Sequence, residues 1–170
     1  MNGSLGLGDT TDRSSPVQVG VETSWTDIVA SGHTCGLKSD GSLWCWGYNA
    51  DGEVGDGSTT KRLAPTQVGT AHDWLSVGLG YYETCAKKSD GSLWCWGNND
   101  YGGLGVGDFN ERHTPALVSG GYSWFTASGG LAFTCAIQTD SSLWCWGRNY
   151  NGQLGIGSFG FSPTPAAVVY

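Results

Sequence analysis

Leu43-Trp44-Cys45-Trp46-Gly47 returns as Leu93-Trp94-Cys95-Trp96-Gly97 and again as Leu143-Trp144-Cys145-Trp146-Gly147, at a spacing of 50 residues. A period of this length marks a repeat array, in which each supersecondary unit buries its apolar faces only against a stacked neighbour. Everything around the three strands keeps step with them. Trp25, Trp74 and Trp124 recur, as do Pro16, Pro65 and Pro115, each proline preceded three residues earlier by Arg13, Arg62 or Arg112. A glycine frame, Gly3-x-Leu5-Gly6-x-Gly8, reappears at Gly52, Gly102 and Gly152, giving four frames but only three Trp-Cys-Trp strands.

The intervals are crowded with Gly, Ser, Thr, Asn and Asp, while aromatic and β-branched residues fall in runs of four to seven, which is strand chemistry. The first unit reads as strands over 16–19, 25–31, 34–37 and 43–47. Four strands in about 50 residues is the size of a propeller blade. The expected fold is therefore all-β, with three complete four-stranded antiparallel blades over 14–47, 63–97 and 113–147. Residues 148–170 form a partial fourth repeat with one extra strand. In 43–47 both alternating sets are apolar, so that strand expects cover on both faces.

The cysteines flank turns: Cys35 and Cys45, Cys85 and Cys95, Cys135 and Cys145. A three-residue loop whose last residue is left-handed sets Lys38 opposite Ser42 and Leu37 opposite Leu43, hence Cys35 opposite Cys45. Counted from a hydrogen-bonded pair at Lys38 and Ser42, the cysteines fall at a non-hydrogen-bonded position with Cα atoms about 4.5 Å apart, within disulfide reach. Within-hairpin bridges are the favoured reading, against free buried thiols, metal ligation and bridges between blades. Nine residues between cysteines, with no histidine repeating alongside, is poor zinc spacing. Six cysteines in opposed pairs point to an oxidising compartment, outside the cytosol or at the cell surface. Ser141 stands where Gly41 and Gly91 stand, so the third hairpin is expected to be the weakest.

Hairpin, Trp-Gly ending, the following Asn49, the glycine frame and the downstream proline, in one order three times, resemble the repeat of the regulator of chromosome condensation family. The resemblance implies a β-propeller, commonly of seven blades, that acts through loops and faces without a fixed catalytic centre. The eukaryotic founder is a chromatin-bound exchange factor for a small GTPase, and a secreted bacterial relative is a β-lactamase inhibitor. A cysteine pair in every repeat resembles the bacterial extracellular branch. Almost no insertions interrupt the repeats, so no extra hairpin offers itself to a GTPase, and the acidic balance disfavours chromatin.

That balance is a net charge of −7 with only 14% charged residues. The eight basic residues are scattered, so the clustered Lys and Arg of a nucleic-acid surface are missing. No apolar run is long enough for a membrane-spanning helix. Met1 opens directly into a glycine frame, inside a repeat, which reads as a mature product, a piece of a longer array or an incompletely defined reading frame.

Enzyme chemistry finds little support: His33, His72 and His113 occupy unrelated repeat positions, and none has a motif around it that resembles a nucleophile-base pair. No cofactor is expected, and no metal, although Asp9-x-x-Asp12 and Asp51-x-Glu53-x-x-Asp56 leave calcium open. The tryptophans read as core ahead of sugar-binding shelves, and the three arginines as clasps between blades beside the glycine frame. Loop residues that the repeat does not require, Phe109, Asn110, Glu111, Phe159 and Phe161, are the candidate contacts. The extra strand, Thr164, Pro165, Ala166, Ala167, Val168 and Val169, is the candidate assembly strand. Three blades do not close a ring, which leaves apolar outer faces. The expected function is noncatalytic: self-assembly into a ring or head-to-tail filament, or contact with a protein partner. The alternative is a secreted binding module, inhibitor or lectin-like, using the loop face.

Overall fold

The computed structural model describes residues 2–121 and 123–169; Met1 and Tyr170, the two ends of the expected array, lie outside them, as does Tyr122. Among the described residues, twelve strands build three four-stranded antiparallel sheets. The first holds β1 (Trp25–Ala30), β2 (His33–Lys38), β3 (Leu43–Gly47) and β4 (Arg62–Gln67). The second holds β5 (Trp74–Leu79), β6 (Glu83–Lys88), β7 (Leu93–Gly97) and β8 (Arg112–Leu117). The third holds β9 (Trp124–Gly129), β10 (Phe133–Gln138), β11 (Leu143–Asn149) and β12 (Gly160–Ala167). Each sheet is a meander in chain order.

The architecture of propeller blades is as expected, but the proline-containing strands sit elsewhere. Arg62–Gln67 was expected to open the second unit; it pairs with β3 instead, Cys45 opposite Thr66 and Gly47 opposite Arg62. The sheets accordingly run 25–67, 74–117 and 124–167, and 16–19 lies in no strand. The segment 164–169 is likewise not spare: Ala166 and Ala167 pair with Cys145 and Trp144, and Val168 N–H donates to Leu143 O at 3.0 Å. The reason lies in the long loop between the third and fourth strands, which folds back on itself. Asn49 Oδ1 accepts from Val54 N–H at 2.8 Å while its Nδ2 donates to Ser58 O and Thr60 O. Asn99 and Asn149 repeat the arrangement. Arg62 then pairs with Asp56, as Arg13 does with Asp9 and Arg112 with Asp108. These arginines clasp their own loop, not a neighbouring blade.

The hairpins take the expected register, with Cys35 opposite Cys45 and Leu37 opposite Leu43, and Lys38 N–H bonded to Ser42 O at 3.0 Å. Gly41 (φ 77°), Gly91 (φ 84°) and Ser141 (φ 72°) fill the left-handed position. All three disulfides join the paired cysteines within a hairpin, at Cα separations of 4.1 Å.

Sheets stack face to face. Cys35, Leu37, Leu43, Cys45, Val54 and Val68 of the first unit pack against Trp74, Val77, Leu79, Ala86 and Trp96 of the second. The second unit offers its Cys85, Leu93, Cys95, Leu104 and Val118 to Trp124, Ala136 and Trp146 of the third. The first three glycine frames each lie over an indole: a Cβ on Gly6, Gly55 or Gly105 would come within 2.7, 2.5 and 2.6 Å of Trp46, Trp96 and Trp146 Nε1 respectively. Glycine at these positions is what lets the loop backbone approach the ring. The carbonyl beneath, of Ser4, Glu53 or Gly103, accepts from the indole N–H at 2.9 to 3.0 Å and from the hydroxyl of Thr34, Thr84 or Thr134. Trp46, Trp96 and Trp146 are thus buried core, while Trp44, Trp94 and Trp144 are half-buried with their N–H groups on Ser42, Ser92 and Ser142.

Candidate functional site

Two regions of this stack are left with unmet chemistry. The first is the outer face of the third sheet. Cys135, Ile137, Leu143, Cys145, Leu154 and Val168 occupy the repeat positions that are covered in the first unit. Among the described residues no further sheet packs on this face, and Ile137 is 36% exposed where Leu37 is 3% exposed. Two backbone acceptors tell the same story. Gly41 O receives Trp74 N–H at 3.1 Å and Gly91 O receives Trp124 N–H at 3.0 Å, so each hairpin turn holds the first strand of the next sheet. The equivalent Ser141 O has no such bond among the described residues, and the fourth frame, at Gly155, meets only Val168 where its counterparts meet tryptophan.

The second region is the rim formed by loops at one end of the sheets. Among the candidate contacts, Phe109 and Phe161 come together, with ring centroids 5.2 Å apart, and Tyr150 extends the cluster at 6.4 Å from Phe161. Phe159 stands apart at 79% exposure. Asn110 and Glu111 are engaged locally, Asn110 O by Asn99 and Arg112, and Glu111 by His113 at 3.2 Å. Tyr150 was not singled out by sequence, although it stands at a position held by Ala50 and Asp100 in the other repeats, a variation that signals a residue the fold does not require.

Between the first two sheets lies a buried polar cluster. Thr84 donates its hydroxyl proton to Glu53 O at 2.8 Å, so His33 Nε2–H, 2.6 Å from the same hydroxyl, is the donor to it and Nδ1 is the bare nitrogen. Burial holds His33 down at about 4, hence neutral. Glu53 and Glu83 are fully buried, each with Oε1 lacking a partner among the described residues. Burial pushes their carboxyls up to about 7 and about 8. His72 is exposed and His113 half-buried, and they sit beside Asp40 and Glu111 respectively, so the histidines are not brought together. The aspartates considered for calcium are dispersed: Asp9 and Asp56 bind their arginines, and the described residues hold no group of three or more metal-ligating side chains.

The recurring hairpin, Trp-Gly strand and frame match two family models of the regulator of chromosome condensation (RCC1) repeat, one over residues 90–137 and one over 31–53, 74–102 and 127–153. Together they take in more than half of the chain. The chain belongs to the RCC1 repeat family.

Solved structures share the fold. Human WBSCR16 superposes with a TM-score of 0.80 at 22% identity, over 98% of this chain and 45% of its own. Prp20p of Saccharomyces cerevisiae, studied for binding to Gsp1p and histones, gives 0.77 at 18% identity, over 86% of this chain and 39% of its own. The receptor kinase CR4 ectodomain of Physcomitrella patens gives 0.50 at 22% identity, over 79% of this chain and 34% of its own. The chain spans less than half the length of each of these structures. No curated protein sequence matches it significantly. The three sheets bury the recurring scaffold residues inside the stack and leave residues of the outer face and the loop rim exposed.

Proposed function

We propose that this chain is a noncatalytic RCC1-repeat protein of the extracellular or cell-surface type that works by protein–protein contact, in the first place by associating with another propeller blade of its own construction. The observation that carries this is the apolar outer face of the third sheet, where Ile137 is exposed and Cys135, Leu143 and Val168 are only half-buried although the first unit buries their counterparts. The surface that would cover it is specified by the repeat: Trp25, Ile28 and Ala30 of the first sheet hold the positions of Trp74, Val77 and Leu79. Ile28 is 58% exposed, so this head face is open to a tail face from a second copy. Such a contact is heterologous and builds rings or filaments. Three hairpin disulfides support an oxidising location, in keeping with the bacterial extracellular branch. The relative Prp20p, which has been crystallised with Kap60, engages protein partners, and the present chain is read in the same sense with other surfaces.

Ile137→Asp places a charge on the tail face without touching the internal cores. Analytical ultracentrifugation of the oxidised protein is expected to show concentration-dependent assemblies for the wild type and their loss in the variant. A wild type that stays monomeric up to about 100 μM, weaker than useful association, contradicts the reading. A second reading, a secreted binding module of inhibitor or lectin-like kind, draws on the exposed cluster of Phe109, Tyr150 and Phe161.

A further inference from the structure

At the loop rim, next to the aromatic cluster, a cleft of about 470 Å³ crosses all three sheets. Its volume falls in the range of small-ligand sites. Tyr48 follows β3, Asn98 follows β7 and Arg148 lies near the end of β11, three equivalent positions carrying three different side chains. The same holds for Gly32, Tyr82 and Ala132, at the turn joining the first two strands of each sheet. Trp, Cys, Thr and Asn recur where the stack needs them; these positions vary, and yet all of them except Gly32 line one cavity.

The walls are firmly built. Asn98 N–H donates to Tyr82 O and Arg148 N–H to Ala132 O, both at 2.9 Å. Ala132 is held at φ 64°, a left-handed conformation that strains a non-glycine residue and tends to be kept where function requires it. Tyr48 and Tyr82 stand at 59° to one another, centroids 6.4 Å apart. On the other side the Arg148 guanidinium lies 5.6 Å from the Tyr101 ring and 5.9 Å from that of Tyr150.

The charges in this cleft do not neutralise each other. Arg148 forms no ion pair among the described residues, and its buried Nε has no partner. Among the described residues neither Asp51 nor Asp100 forms an ion pair; Asp100 Oδ2 accepts from Asn98 Nδ2 at 3.2 Å. Burial, with Glu111 and Asp100 nearby, pushes the Asp51 carboxyl above its ordinary value. A cationic ligand would meet Arg148, and an anionic one Asp51 and Asp100. A neutral ligand that both donates and accepts hydrogen bonds, and has an apolar face to lay on a ring, meets every group on offer.

We infer that this cleft is a binding site for a neutral saccharide, its hydroxyls bonded by Asp51, Asn98, Asp100 and Arg148 and its C–H face laid against Tyr48 and Tyr82. The inference gives a ligand class to the second, loop-face reading and is independent of association through the sheet ends.

Calorimetric titration of the oxidised protein with cellotriose, chitotriose and maltotriose, each to about 10 mM, the weak end of specific binding, tests it. At least one is expected to bind saturably. Arg148→Ala and Asp100→Ala should each weaken it by roughly tenfold, the worth of one charge-assisted hydrogen bond, with far-UV dichroism unchanged. Asp100 is exposed, so its replacement keeps the test alive if the Arg148 variant fails to fold. The inference is overturned if none of the three binds, if binding survives both variants, or if spermidine or an acidic peptide binds more tightly than any of the saccharides. A protein partner retained through Phe109 and Phe161 in both variants, with no saccharide bound, would sink the inference while leaving the loop-face reading standing.

Discussion

Asn49, Asn99 and Asn149 do more for this fold than their place in the sequence suggests. Each side chain takes an N–H from the glycine frame and gives its own protons to carbonyls 9 and, in the first two, 11 residues on, closing a loop that has no regular structure. Loss of such a buried amide leaves several main-chain groups unpaired, and Asn99→Ala is expected to lower stability by about 2–3 kcal/mol in urea denaturation. Glu53 and Glu83 give the protein a pH signature. Both folded-state values lie above the ordinary 4.5, so the unfolded chain releases these protons first and stability falls as pH rises from about 4.5 to between 7 and 8. The slope is about 1.4 kcal/mol per pH unit for each group across its window. His33, held down at about 4, acts oppositely, costing stability as pH falls below 6.5. The two carboxyls outweigh the one imidazole, so urea midpoints should fall continuously from about pH 5 to 8, and Glu83→Gln should flatten that limb; a wild-type profile level from pH 5.5 to 8 would refute this assignment. None of these roles was legible beforehand, because burial of Glu53, Glu83 and His33 depends on contacts between sheets and on no local pattern. The hairpin cysteines were legible, since strand alternation and turn length alone fix which residues face each other.

Within a single sheet, the third hairpin tests the turn argument. Ser141 occupies a left-handed position with φ 72° where its counterparts are glycine. Ser141→Gly is expected to raise the thermal midpoint, with a gain of up to about 1 kcal/mol. The bridges invite a comparison between sheets. Cys85–Cys95 is sealed between two sheets, whereas Cys135 is half-buried on the outer face. Replacing either pair with alanine removes a ten-residue closure worth roughly 2–3 kcal/mol, but the inner pair should cost more, because its cavity stays enclosed. Differential scanning calorimetry of the two double variants should rank them in that order. The strand order was only half legible. Arg62–Gln67 lies 6 residues before β5 and 14 after β3, so proximity in sequence favoured the wrong neighbour. What returns it to β3 is the internal bonding of the frame loop by Asn49 and Arg62, information carried by side-chain geometry and not by hydrophobic period.

Across the molecule, cover decreases toward the two ends. The middle sheet is packed on both sides, and Trp74 and Trp124 are buried where Trp25 is only half-buried. Opening free energies follow burial and contact density. Amide hydrogen exchange should therefore be slowest in β6 and β7 and faster in both β2–β3 and β10–β11; equal protection in all three sheets would show that the ends are covered in solution. The open ends were foreseeable from repeat counting, since three Trp-Cys-Trp strands against four frames leaves one frame unfilled. The loop-rim cleft was not, because its residues are separated by up to 100 positions and share no motif. The three bridges have a consequence for how such a chain changes over time. Each cysteine finds its mate 10 residues away, inside its own hairpin. A gene duplication or unequal crossover that adds or drops one whole unit therefore strands no thiol and scrambles no pairing, and arrays of different length inherit intact oxidative chemistry.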